Sequence, residues 1–193
     1  DSLNTYYTVE KNKWYFFTPA HDVDLTKVSH SANASYVFRY YDAESRATNG
    51  TGNSWRNVDT DKLIAGQGYI FHCDAAGTVT MPAEATSHVQ IFNVGDVTQT
   101  LNVYESTASA NKNWNYVGNP YPTYFDIYYM DFTAPITVWT GSTYKAYSIA
   151  DDNFVLRPMQ SFFVQKPDEV DQIVFHKEGR QLTTEIARPS YAK

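Results

Sequence analysis

The sequence predicts an all-β fold, arranged as two internally repeated sandwich-like or barrel-like units packed as one body. Three observations carry that expectation. The 193 residues include 16 Tyr, 11 Phe and 4 Trp, and such flat rings suit a pleated, half-buried surface better than a helix. Short alternating runs are punctuated by Gly, Asn, Asp and Pro at roughly 8 to 12 residues, which gives about fourteen strands at a spacing typical of sandwiches and barrels. The chain also marks itself twice. Trp114-Asn115-Tyr116-Val117-Gly118-Asn119-Pro120-Tyr121-Pro122 and Leu156-Arg157-Pro158-Met159-Gln160-Ser161-Phe162-Phe163-Val164-Gln165 have weaker copies in Trp14-Tyr15-Phe16-Phe17-Thr18-Pro19 and Leu63-Ile64-Ala65-Gly66-Gln67-Gly68-Tyr69-Ile70-Phe71. Leu63, Gln67 and Tyr69 fall on Leu156, Gln160 and Phe162 at one offset of 93 residues, the kind of self-similarity that fixes architecture.

Taken in order, Thr5-Tyr6-Tyr7-Thr8-Val9 and Trp14-Tyr15-Phe16-Phe17 form a first hairpin about a charged turn, and Pro19 ends its second strand. Residues 20–34 sustain no helical period, although Val23, Leu25 and Val28 suffice for one helical turn or a short strand. Residues 35–41 read as a strand, 47–54 as its turn and 55–58 as its return, because the Asn-Gly and Gly-Asn steps tolerate positive φ. After the Asp59-Thr60-Asp61-Lys62 bend come a strand over 67–73, a turn at Gly77 and a strand over 78–81, closing a first unit of about residues 10–84. A linking hairpin over about residues 88–104 pairs 89–94 with 98–104, with Leu101 and Val103 sharing the buried face. The second unit, about residues 112–178, repeats the plan with strands at 114–117, 136–140, 144–149, 160–165 and 172–176. A strand over 181–186 follows, and the tail from Arg188 to Lys193 is expected to fray. No helix is expected. Nor is a separate domain boundary placed between the units, since the first alone is too small to cover its own core comfortably.

Composition removes several function classes. A net charge of −6 with no basic stripe argues against nucleic-acid binding, which requires cations to displace phosphate counterions. No apolar run approaches the roughly 20 residues that span a bilayer, and the chain, starting at Asp1, reads as a mature or excised segment. Cys73 is the single cysteine, so neither an internal disulfide nor a cysteine cluster for zinc is available, and it is expected to behave as a small buried apolar residue.

The repeated marks have a structural reason. A Gly or Pro just before an aromatic run kinks the chain into a central strand while staying out of the strand itself, and the amides of Gln67 and Gln160 are placed to cap backbone groups freed by the kink. Trp14 and Trp114, each opening a unit, are expected to be mostly buried, with truncation costing about 3 to 5 kcal/mol.

In these motifs the chain resembles the β-rich modules of large secreted and cell-surface proteins of Bacteroidetes, which carry W-N-x-V/I-G-N-P-Y-P followed by L-x-P-x-Q-x-F-F-V. Residues 114–122 and 156–164 fit the pattern closely, whereas the first unit fits at Trp14, Pro19 and 63–71. The resemblance implies an extracellular or outer-membrane-surface module of a multidomain polypeptide, in a setting of adhesion, host contact or polysaccharide capture. It implies no catalytic residue.

Chemistry is diffuse. The sequence has no phosphate loop, no His-Glu-x-x-His, no nucleophile elbow and no EF-hand loop. Asp59/Asp61 and Asp151/Asp152/Asn153 offer oxygen ligands, but calcium wants six to eight, and such bends more often bond their own backbone. Nothing selects a glycosidase pair among Asp22, Asp24, Glu84, Asp126 and Asp131. The five histidines, 21, 30, 72, 88 and 176, show no metal spacing. His72 and Cys73, as strand neighbours, point to opposite faces. We therefore expect no catalytic residue, no metal and no cofactor.

The expected role is adhesion or glycan binding, with a structural spacer as the alternative and a polysaccharide-active enzyme third; partners would be a glycan or host surface protein. Sugars are held by rings that stack on C–H patches and by amides and carboxylates that bond hydroxyls. Asn119, Tyr121, Tyr124 and Asp126 on the proline-stiffened turn are the candidate ligand-binding residues, the competing reading being that the two tyrosines pack back onto the sheet.

Overall fold

The computed structural model describes residues 4–84 and 95–188. Strands dominate it and, among the described residues, no sheet closes into a barrel. The first half contains β1 (Asn4–Val9), β2 (Trp14–Phe17), β3 (Val23–Asp24), β4 (Ser29–His30), β5 (Tyr36–Tyr41), β6 (Trp55–Asn57), β7 (Lys62–Leu63), β8 (Tyr69–Cys73) and β9 (Gly77–Pro82). They form a four-stranded antiparallel sheet in the order β2-β8-β5-β6, backed by β1-β9-β4 and the pair β3-β7. The second half contains β10 (Val97–Thr100), β11 (Trp114–Gly118), β12 (Tyr124–Asp126), β13 (Met130–Asp131), β14 (Ile136–Trp139), β15 (Tyr144–Tyr147), β16 (Val155–Leu156), β17 (Ser161–Gln165), β18 (Gln172–Phe175) and β19 (Arg180–Gln181). Here the four-stranded order is β11-β17-β14-β15, backed by β10-β18-β13 and β16-β12-β19.

Alternation along the strands decides what each sheet face does. In β2, Tyr15 and Phe17 turn inward onto Phe71, at 5.3 and 5.0 Å between centroids, within a core that includes Val9, Phe38, Leu63, Cys73 and Met81. Trp14 and Phe16 turn the other way. Val117, Phe162, Val164 and Ile136 bury the corresponding face of the second sheet against Phe125, Leu156, Ile173 and Phe175. The remaining two faces meet each other through aromatic rings: Tyr41 lies 4.9 Å from Phe163, Trp55 5.3 Å from Tyr116, and Phe16 5.7 Å from Trp139.

Backbone contacts lock this junction. Isolated bridges join Phe17 to Gln160 and Gln67 to Val117, the Thr18 N–H donates to Met159 O at 2.8 Å, and the Gly68 N–H donates to Tyr116 O at 2.9 Å. The Gln160 amide does cap its kink, with Oε1 accepting from the Arg157 N–H at 2.9 Å.

Four expectations are corrected. A helix that was not expected, α1 (Ala43–Asn49), runs into the turn read over 47–54: Asp42 caps it by accepting from the Ser45 N–H, Ala43 and Ala47 are buried, and Gly50 at φ 80° ends it. Two turns are too short to leave a period in sequence. The linking run leaves its strand at Thr100, pairing with β18 instead, so that Leu101 is buried while Val103 is 55% exposed; residues 89–94 lie outside the described residues. The strand expected over 181–186 stops at Gln181, and Leu182 stands 88% exposed. Arg188 does not fray: its guanidinium donates to both Asp126 oxygens at 3.0 and 3.1 Å and to Asn153 Oδ1 at 2.6 Å. Residues 189–193 lie outside the described residues. No helix among the described residues is long and apolar enough to cross a membrane.

Candidate ligand-binding groove

The proline-stiffened turn turns inward. Asn119 is fully buried, its amide donating to Thr123 O at 2.8 Å and Arg157 O at 3.0 Å while Oδ1 accepts from the Tyr121 N–H at 3.0 Å. Tyr121 is 4% exposed; its ring stacks on Phe125 and its hydroxyl lies 2.9 Å from Gly95 O and 3.0 Å from Phe175 O. Asp126, also buried, caps a 3-10 turn at Ile127–Tyr129 and holds Arg188. The side-chain polar atoms of Asn119 and Asp126 are thus taken up by backbone groups and by Arg188 rather than offered to a sugar. Tyr124 reaches a surface depression, about 320 Å³, shared with Tyr6, Tyr7, Phe16 and Arg157, and Tyr121 borders another, about 630 Å³, with His21, Gln99, Pro120 and Pro122.

Several of the other candidates are likewise committed to structure. Asp152 and Asp151 accept from the Ser148 N–H and hydroxyl at 2.7 and 3.0 Å, and Asp22 accepts from the Ala65 N–H at 2.8 Å. His72 and Cys73 diverge, Cys73 being fully buried. Asp96, His176 and Glu178 place ligand atoms within 4.8 Å of one another, but Asp96 already accepts from His176 and from the Lys177 N–H. That N–H first, then His176, lowers its pKa.

An open concavity of about 990 Å³ lies where the two four-stranded sheets part. Its volume is at the top of the range that ligand sites occupy, roughly 300 to 1,000 Å³. Alternation on β2 supplies Trp14 and Phe16, β5 supplies Arg39, β6 supplies Trp55, the end of β14 supplies Trp139, and the β14–β15 turn supplies Thr140 and Gly141. Three of the four tryptophans thus converge from residues 14, 55 and 139. The Arg39 guanidinium sits 4.9 Å over the Trp14 ring, within cation–π range, with Nε donating to Asn57 Oδ1 at 3.0 Å. Lys13 and Arg157 complete the wall, which contains no carboxylate. Burial is the main cause that raises the Tyr7 phenol, and the Arg157 charge partly offsets it.

The groove stays open because of loop length. The β14–β15 connection is a tight turn closed by the Thr140 N–H donating to Thr143 O at 2.8 Å, with Gly141 at φ 102°. The β5–β6 connection instead carries α1, whose Arg46 lies 5.3 Å over Trp114 and donates to Asn111 Oδ1 and Ala110 O at 3.1 and 3.2 Å. Trp114 is half-buried beneath this contact, whereas Trp14 is the more exposed of the two.

Trp14 is 37% exposed, contrary to the expectation of a buried anchor. Its truncation therefore forfeits only part of a side chain's burial, so Trp14→Ala should lower unfolding stability in urea by about 1 to 2 kcal/mol. A loss above about 3 kcal/mol would mean that Trp14 supports the junction rather than the groove. From the sequence alone Trp14 belongs in the core, and this site, whose walls come from both halves of the chain, is not found. No family model, no curated protein and no solved structure matches the chain.

Proposed function

We propose that this chain is a non-enzymatic, extracellular or cell-surface module that holds a glycan in the groove beside Trp14. The supporting observation is the convergence of Trp14, Phe16, Trp55 and Trp139 with Arg39 in an open cleft, which offers both the ring faces and the polar donors that saccharide recognition requires. The module belongs to a multidomain surface polypeptide of the kind its motifs resemble, and it is built from two copies of one unit. Supporting the two-copy reading, each strand of β2-β8-β5-β6 has a counterpart in β11-β17-β14-β15. Trp14 opposes His72 as Trp114 opposes Gln165, the second strand of each pair keeping the 93-residue offset while the first is displaced by 100. The two bridges, Phe17 to Gln160 and Val117 to Gln67, are what a twofold between the copies would exchange.

The spacer alternative draws on the same junction, whose covalent continuity and backbone bridges suit a stiff connector. A glycan array separates the two readings. The parent chain is expected to retain a defined set of saccharides, and Trp14→Ala or Trp139→Ala, each still folded, to lose at least tenfold in affinity. Absence of binding on the array would favour the spacer, and measured turnover of a retained polysaccharide would overturn the non-enzymatic reading.

A further inference from the structure

Resting on the glycan-binding reading, we infer that the groove selects carboxylated sugars, chains containing uronic acid, over neutral ones. The chain as a whole carries 21 acidic against 15 basic residues, yet Lys13, Arg39 and Arg157 line the groove and no Asp or Glu does. Lys13 is paired at 3.3 Å with Glu10, outside the wall. Arg39 and Arg157 take part in no ion pair among the described residues. Arg39 is the informative one. It is half-buried, held 4.9 Å over the Trp14 ring and tethered through Nε to Asn57, which leaves its two terminal amino groups uncommitted. A half-buried guanidinium without a counterion is costly, and its planar fork matches a carboxylate through two parallel hydrogen bonds.

A uronic acid brings both halves of the match on one ring, with C–H faces for the aromatic side chains and a planar carboxylate for Arg39. The groove is also long enough for more than one such ring. The main cavity and the smaller depression share Tyr7, Thr8, Phe16 and Arg157 in their walls, so the path runs from Trp14 past Arg157 to Tyr6, which is 65% exposed, and to Tyr124. Arg157 thereby stands midway, placed for a second carboxylate along the same chain.

Calorimetric titration tests this with tetrasaccharides of galacturonate, mannuronate and glucuronate, their methyl esters, a neutral cellotetraose and a sulfated dextran oligomer. At least one acid oligomer should bind tenfold or more tightly than its ester, which keeps the rings and removes the charge. Arg39→Gln and Arg157→Gln, checked for parental melting temperature, should each cost about tenfold for the acid and little for the ester, whereas Trp14→Ala should weaken both. Equal binding of acid and ester overturns carboxylate selection while leaving the glycan groove standing. Sulfated dextran binding as tightly as the best acid also overturns it, reducing the site to a general polyanion surface. No binding of any saccharide overturns both readings.

Discussion

Gly118→Ala is expected to cost about 3 kcal/mol or more, the upper end of what one added methyl group does in a packed interior. The reason lies in what surrounds that α-carbon. A β-carbon built there would meet Thr18 Oγ1, would lie 2.6 Å from Thr18 Cβ, and would lie 2.7 Å from the backbone oxygen of Gln160. No rotamer relieves that last contact, because Gln160 O already accepts from the Asn119 N–H at 2.9 Å and Gln160 bridges to Phe17. Residues of both halves must separate for the methyl to fit. Gly141→Ala is the control: nothing lies within 4 Å of its added carbon, and the φ of 102° leaves only local strain, of the order of 1 kcal/mol. Urea unfolding of the two variants measures the difference. Gly118→Ala within about 1 kcal/mol of the parent would mean that the two sheets are not held at this point.

The residues that stood out in sequence, Gly118, Asn119 and Gln160, therefore do structural work at the junction, and that much was legible because backbone demands leave local marks. Most strands of the two central sheets were legible for the same reason, since alternation is a local pattern. Side-chain direction on the proline turn was not. Tyr121 faces inward because its hydroxyl meets the carbonyl oxygens of Gly95 and Phe175, partners 26 and 54 residues away that no reading of residues 119–126 supplies. The groove was illegible for a related reason. Trp14, Trp55 and Trp139 become neighbours only once two sheets stack, and how exposed a tryptophan stands depends on a loop elsewhere, α1 over Trp114 against the tight turn beside Trp14. Helix α1 itself escaped because its evidence is a cap at Asp42 and a stop at Gly50, without enough length for a period.

Alkali should unfold this chain steeply between about pH 10 and 12. Burial is the largest cause raising the phenols of Tyr69 and Tyr121, both to about 12, the first partly offset by the Ile64 N–H and the second by Arg180. Tyr116 is pushed well above 10, again by burial and against the lowering effect of Ser161. Geometry gives the same direction: Tyr116 donates to Tyr69 O at 3.2 Å while lying 2.6 Å from Ser161 Oγ. Tyr121 donates toward two carbonyl oxygens, which would repel a phenolate formed there. A raised acid holds its proton in the folded chain after the unfolded chain has lost it, so the contribution is complete below pH 10 and is lost as pH rises toward the folded value. Two groups shifted by about 2 units at 1.36 kcal/mol per unit remove roughly 5 kcal/mol by pH 12, comparable to the whole stability of many domains. Circular dichroism and tyrosinate absorbance followed together from pH 8 to 12.5 check it. Stability should be level to about pH 10, and a late fraction of the tyrosinate signal should rise cooperatively with loss of structure. Tyr121→Phe should be less stable than the parent at pH 8, by about 1 to 2 kcal/mol for the lost hydrogen bond, yet should lose stability less steeply above pH 10. Smooth titration of all the tyrosines near pH 10 with the sheet signal intact would show that these three hydroxyls are not buried as described.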